Sequence, residues 1–142
     1  MGLLSGKKGL IMGVANERSI AWGIAKACSS QGAKLAFTYQ GEALKKRILP
    51  LAESVGSNFT FECDVADQNA IKETFAKIKD ELKDIDFLVH AIGFSDKNEL
   101  RGRYVDTSKQ NFWATMDISV YSFTAVTQEA EKIMPQGGSI LT

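Results

Sequence analysis

Short apolar runs alternate with longer stretches of helical period along the whole of this chain, and that alternation constrains the fold more than any single motif. Lys8 to Gly13, Lys34 to Tyr39, Asn58 to Cys63 and Asp86 to Ile92 read as buried strands. Between them, 19–31, 41–55 and 67–83 read as helices. Ile71, Phe75, Ile78 and Leu82 recur at i, i+4, i+7 and i+11, the stripe of a helix lying on a sheet. In the first helix Ile20, Ile24, Ala27 and Cys28 share a face, and in the second Leu44, Ile48, Leu51 and Val55 do, with Pro50 expected to kink or break it. Ser108 to Met134 reads as one long helix, apolar nearly all round and so expected to be buried. Ser139 to Thr142 begins a fifth strand. Strand–helix units in succession demand a parallel sheet, right-handed crossovers and helices on both faces. The expected class is therefore α/β, a doubly wound parallel sheet of Rossmann-like type. Residues 1–142 are expected to be the N-terminal part of one such domain, ending in the fifth strand.

On such sheets ligands bind beyond the carboxyl ends of the strands, so the residues closing each strand carry the functional reading. The first strand closes on Gly13-Val14-Ala15-Asn16-Glu17-Arg18-Ser19-Ile20-Ala21-Trp22-Gly23. A glycine permits a tight turn off the strand, and the free N–H groups of the following helix then face an anion such as a dinucleotide pyrophosphate. Ser19 and Ile20 are expected to supply those N–H groups, with the Ser19 hydroxyl capping or donating. The spacing, G-x5-S-x-A-x-G, is a divergent form of the glycine-rich fingerprint.

Gln40 closes the second strand, where an acidic residue usually binds the adenosine ribose. Its amide can make similar bonds, and no Arg or Lys immediately follows to pair a 2′-phosphate, although Lys45, Lys46 and Arg47 come soon after; this points to NADH over NADPH. The bland alternative is a solvated loop residue. Asp64-Val65 closes the third strand, and reads either as an adenine contact or as a helix cap, a role that Asp67 could fill. His90-Ala91-Ile92-Gly93-Phe94-Ser95 closes the fourth, with Gly93 allowing backbone beside the cofactor ribose and nicotinamide. His90, the sole histidine, reads as packed inside its strand. Trp22 and Trp113 read as packing residues, and Cys28 and Cys63 as two buried, unpaired thiols.

Seventeen basic and seventeen acidic residues cancel, which argues against nucleic acid as a partner. No apolar run reaches membrane-spanning length, no metal-ligand spacing occurs, and a cytoplasmic location is the default.

The first motif, Cys63-Asp64-Val65, His90-Ala91-Ile92-Gly93-Phe94 and Asp117-Ile118-Ser119-Val120-Tyr121-Ser122-Phe123 closely resemble the NADH-dependent enoyl-(acyl-carrier-protein) reductases of bacterial type II fatty acid synthesis. These are divergent members of the short-chain dehydrogenase/reductase superfamily. The resemblance runs through the whole chain. It implies NAD binding by Gly13, Ser19, Ile20, Gln40, Asp64, Val65 and Ile92, and substrate contact by Gly93, Phe94 and Ser95, where an alanine is common in place of the serine. It implies an acyl-carrier-protein-bound enoyl substrate and a homotetramer. The family's catalytic Tyr and Lys follow the fifth strand, so no catalytic residue is expected within 1–142, and this chain alone is expected to be inactive. Tyr39 and Lys46 have the required separation but lie at the adenosine end. A carbonyl reductase of the same superfamily, or a non-catalytic nucleotide-binding module, are the alternative readings.

Overall fold

The computed structural model describes residues 2–142. Five strands, β1 (Lys8–Met12), β2 (Lys34–Tyr39), β3 (Phe59–Glu62), β4 (Phe87–His90) and β5 (Ser139–Leu141), form one parallel sheet in the order β3-β2-β1-β4-β5. Along β1 the side chains alternate between two cores, as the two-residue period of a strand requires. Leu10 and Met12 join Phe61, Ile71, Phe75, Ile78, Leu88 and Val126 on one face. Ile11 joins Trp22, Ala25, Leu35, Phe37, Ile48 and Val89 on the other. Burial on both faces explains why the strands read as unbroken apolar runs.

Helices α1 (Ile20–Ser30) and α2 (Glu42–Ser54) cover the second face. On the first face lies α3 (Gln68–Leu82), capped by Asp67, whose carboxylate accepts from Asn69 N–H at 2.8 Å and Ala70 N–H at 3.3 Å. The segment after β4 differs from the single helix expected. It comprises α4 (Lys109–Met116), a π-helical turn (Asp117–Tyr121) and α5 (Ser122–Ala130), joined without interruption. Its sheet-facing side is buried through Ser122, Ala125, Val126 and Ala130, whereas Phe112, Trp113, Met116, Val120 and Tyr121 are exposed. The expectation of all-round burial, and of a packed Trp113, therefore fails in this chain. The sheet offers α5 one side only, and among the described residues nothing covers the other.

Three further local expectations are corrected. Helix α2 continues across Pro50, so of the expected kink or break the break does not occur. The buried face of α1 is Ala21, Trp22 and Ala25, with Ile24 and Cys28 only partly buried and Ile20 81% exposed. A small-residue face lets α1 lie close to the sheet, and Trp22 then packs on Phe37 with ring centroids 6.4 Å apart. Cys63 is buried as expected, whereas Cys28 is only partly buried.

At the amino ends of the strands Asp86 ties β4 to β1. Its carboxylate accepts from Lys7 Nζ at 2.9 Å and from Lys8 N–H at 2.8 Å. The Lys7 hydrogen bond, helped by that of the Lys8 amide, holds this carboxyl below its ordinary range.

Candidate functional site

The opposite, carboxyl edge of the sheet carries the site. Register pairs Met12 with Thr38 on one side and with His90 on the other, so β1, β2 and β4 finish level. Beyond them the chains separate: β1 turns up into α1, while the connection from β4 crosses to α4. The space left is a crevice of about 400 Å³. Strand order reverses at this point, which is where α/β sheets bind ligands.

Gly13 forms the floor. Its φ is +106°, and a Cβ there would lie 2.0 Å from the carbonyl oxygen of Ala91. Only glycine allows both the turn and the close approach of β1 to β4. After Gly13 the loop closes on itself. Ser19 Oγ accepts from Ala15 N–H (2.9 Å) and Asn16 N–H (3.1 Å), and Asn16 Oδ1 accepts from Arg18 N–H (2.8 Å). The Ser19 hydroxyl thus braces the loop rather than capping α1, and keeps its own proton free to donate. Ser19 N–H itself donates to the Asn16 carbonyl at 3.1 Å. The expected pair of amides is therefore shifted by one residue. Among the described residues, Ile20 and Ala21 are the first-turn N–H groups of α1 left without a partner. Exposure of the Ile20 side chain does not affect this, since the backbone is what faces an anion.

Gln40, Asp64, Val65, Ile92, Gly93 and Phe94 all line the crevice together with Gly13. Asp64 is not the helix cap, because Asp67 is. One Asp64 oxygen accepts from Ala66 N–H at 3.0 Å, which orients the carboxylate at the rim. Ser95 is not brought to the lining. Its hydroxyl accepts from Asn111 Nδ2 (3.1 Å) and Thr115 Oγ1 (3.0 Å) instead. Leu44 and Ile118 line the crevice and were missed by the sequence reading, where Leu44 looked like an ordinary core position of α2. Their helical spacing carries no sign that the first turn of α2 and the π turn overhang the strand ends.

His90 lies beneath the crevice, 1% exposed, and lends no side chain to it. Its Nε2 is 2.7 Å from Ser122 Oγ and its Nδ1 3.0 Å from Thr142 Oγ1. Ser122 Oγ donates its proton to the Ile118 carbonyl at 2.6 Å, so it accepts from His90 Nε2–H. Desolvation holds the ring below the ordinary histidine value of 6.5. The unfolded chain therefore takes up a proton that the native chain refuses as pH falls below that value. Stability is expected to decline as pH falls from 7.5 to 5.5. Thermal unfolding of His90→Gln over the same range is expected to show a flatter profile. Parallel profiles for the two proteins would contradict the neutral buried ring.

No group of three or more His, Cys, Asp or Glu arranged for a metal ion occurs among the described residues. Among the described residues no helix is long and apolar enough to cross a membrane.

A parallel sheet with this strand order, a glycine-floored turn into α1 and a crevice at the switch point define an α/β protein of Rossmann type. The family model described as "Enoyl-(Acyl carrier protein) reductase" matches residues 13–142, and the chain belongs to that family. It is 59% identical over 141 residues to enoyl-(acyl-carrier-protein) reductase (NADH) 1 of Rhizobium meliloti, covering 99% of this chain and 52% of that protein. It is 54% identical to the FabI enoyl-(acyl-carrier-protein) reductase (NADH) of Rickettsia typhi, over 99% of this chain and 54% of the relative. Among solved structures, that of the Anaplasma phagocytophilum enoyl-(acyl-carrier-protein) reductase in complex with NAD superposes with a TM-score of 0.95 at 55% identity. It too is matched over 99% of this chain and 54% of that one. The chain thus spans about half the length of the curated relatives it matches.

Proposed function

We propose that residues 1–142 are the N-terminal, cofactor-binding part of a single Rossmann-like domain in an NADH-dependent enoyl-(acyl-carrier-protein) reductase. The observation that carries this is the crevice at the switch point with its glycine floor; Ser19, Ile20 and Ala21 do not line it, but Ala15, which does, is tied to Ser19 where α1 begins with unpartnered N–H groups. The NADH in the relatives' names supports the choice of cofactor. The residues fit the group. Ile20 and Ala21 N–H, aided by the Ser19 hydroxyl, hold the pyrophosphate. Gln40 meets the adenosine ribose, and Asp64 and Val65 meet the adenine. Ile92 and Gly93 flank the nicotinamide end. Phe94 faces the acyl substrate, and Ser95 serves that side through the loop it anchors.

NADH, when bound, supplies the hydride for the β-carbon of a trans-2-enoyl thioester carried on acyl carrier protein. Within 1–142 the chain's residues bind and orient, and none donates the acid: Tyr39 lies at the adenosine end of the crevice. The exposed apolar residues of α4 and the π turn support burial in a homotetramer. A balanced charge and unpaired thiols support a cytoplasmic location.

The test is an assay of the protein carrying this sequence on crotonyl and acetoacetyl thioesters with each nicotinamide cofactor. Gln40 offers no charge to a 2′-phosphate, and Lys45 is engaged 3.7 Å from Glu42. Reduction of the crotonyl thioester is therefore expected, with kcat/KM for NADH at least about tenfold above NADPH, the ratio that 1.4 kcal/mol of phosphate recognition would make. Reduction of acetoacetyl thioester alone would favour the carbonyl reductase reading.

A further inference from the structure

Residues 91–94, where the chain leaves β4, form the far wall of the crevice, and the following helical segment grips the loop at Phe94, Ser95 and Asp96. Ser119 Oγ accepts from Phe94 N–H at 3.0 Å and donates to the Phe94 carbonyl at 3.1 Å. One hydroxyl thus satisfies both main-chain groups of a residue that has no sheet neighbour to do so. Asn111, itself buried, accepts from Asp96 N–H at 3.0 Å and donates to Ser95 Oγ at 3.1 Å. Ser119 sits in the π-helical turn, a conformation rare enough that its presence beside a ligand crevice calls for a local reason. Ile118, one residue earlier, lines the crevice, and Ser122 locks the Ile118 carbonyl at 2.6 Å. The π turn therefore delivers a wall residue and the clamp on the opposing loop from adjacent positions.

Gly93 stands in the same wall. A Cβ added there would meet no protein atom nearer than Ser119 Oγ at 3.9 Å. Packing does not demand a glycine, yet the position opens onto the crevice.

We propose that Ser119 is a positioning residue for the nicotinamide half of the cofactor, acting by fixing the Phe94 main chain so that Gly93 and Phe94 hold their places in the crevice wall. This rests on the dinucleotide reading above. Ser119 does not touch the adenosine side, which is built from the ends of β2 and β3 on the other side of β1.

The experiment titrates NAD⁺ and ADP into the wild-type protein, Ser119→Ala and Ser119→Thr, with heat release as the readout. ADP carries the adenosine and pyrophosphate groups but nothing that reaches the β4 side. Ser119→Ala is expected to weaken NAD⁺ about five- to tenfold, the loss of about one hydrogen bond, while ADP stays within about twofold. Ser119→Thr retains the hydroxyl and is expected to restore NAD⁺ binding. Equal loss of both ligands, or no loss of either, would overturn the assignment. If the wild-type protein bound neither ligand, the dinucleotide reading itself would fall, independently of Ser119. Should Ser119→Ala not fold, Ser119→Cys, of similar size but a weaker donor, is expected to show the same selective loss, and its absence would count against the role.

Discussion

Replacing Gly13 with valine is expected to weaken NADH binding by at least about a hundredfold while leaving the secondary structure in place. Two effects combine. The backbone at Gly13 has φ +106°, a conformation that costs a β-branched residue on the order of 1–3 kcal/mol. The new Cβ would also lie 2.0 Å from the Ala91 carbonyl oxygen, and backbone cannot rotate away as a side chain does. The ends of β1 and β4 must separate, and both walls of the crevice move with them, since Val14 and Ala15 follow one strand and Ile92 and Gly93 the other. A hundredfold loss of affinity corresponds to about 2.7 kcal/mol, the worth of about one or two hydrogen bonds to a charged pyrophosphate. Quenching of protein fluorescence by NADH, with circular dichroism as the check on folding, measures this. Wild-type affinity in a folded Gly13→Val protein would show that the crevice floor is not where the cofactor rests.

The largest effect on stability is expected from Phe37→Ala. Phe37 is fully buried at the middle of β2 and supports Trp22 of α1. Removing a buried phenyl ring costs about 3–5 kcal/mol, against a total of about 5–15 kcal/mol for a domain. Trp22 loses its floor, so α1 is expected to loosen with it. Urea unfolding followed by tryptophan emission reads the change. A loss below about 1 kcal/mol would mean that the two-core arrangement around β1 is wrongly described.

Much of this molecule was legible from particular residues. The stripe Ile71, Phe75, Ile78 and Leu82 placed α3 correctly because a surface helix on a sheet has one wet and one dry side. Strand ends could be read because apolar runs stop where the chain leaves the sheet. Gly13, Gln40, Asp64, Val65, Ile92, Gly93 and Phe94 follow those ends, and the fold brings them to one crevice. What failed depends on contacts that spacing does not encode. The face of α1 was misphased because small residues, Ala21 and Ala25, pack closest to the sheet while the larger Ile20 points away. The π turn at Asp117–Tyr121 leaves no periodic trace in so short a span. The free amides lie at Ile20 and Ala21 because Asn16 captures the Ser19 N–H through a loop turn, a choice made by backbone geometry alone. Exposure of Trp113 follows from which surfaces the sheet can cover, and hydrophobicity by itself does not report that.

The central claim is that NADH occupies the crevice at the carboxyl ends of β1, β2 and β4, held by the backbone around α1. Hydrogen–deuterium exchange with and without NADH tests it most directly, since it reports the amides themselves. Residues 20–21, 64–66 and 92–94 are expected to exchange more slowly with cofactor bound. A second cavity, lined by Cys28, Asp86 and Gly137, is expected to remain unchanged. Protection at that second cavity with none at 20–21 and 92–94 would contradict the account.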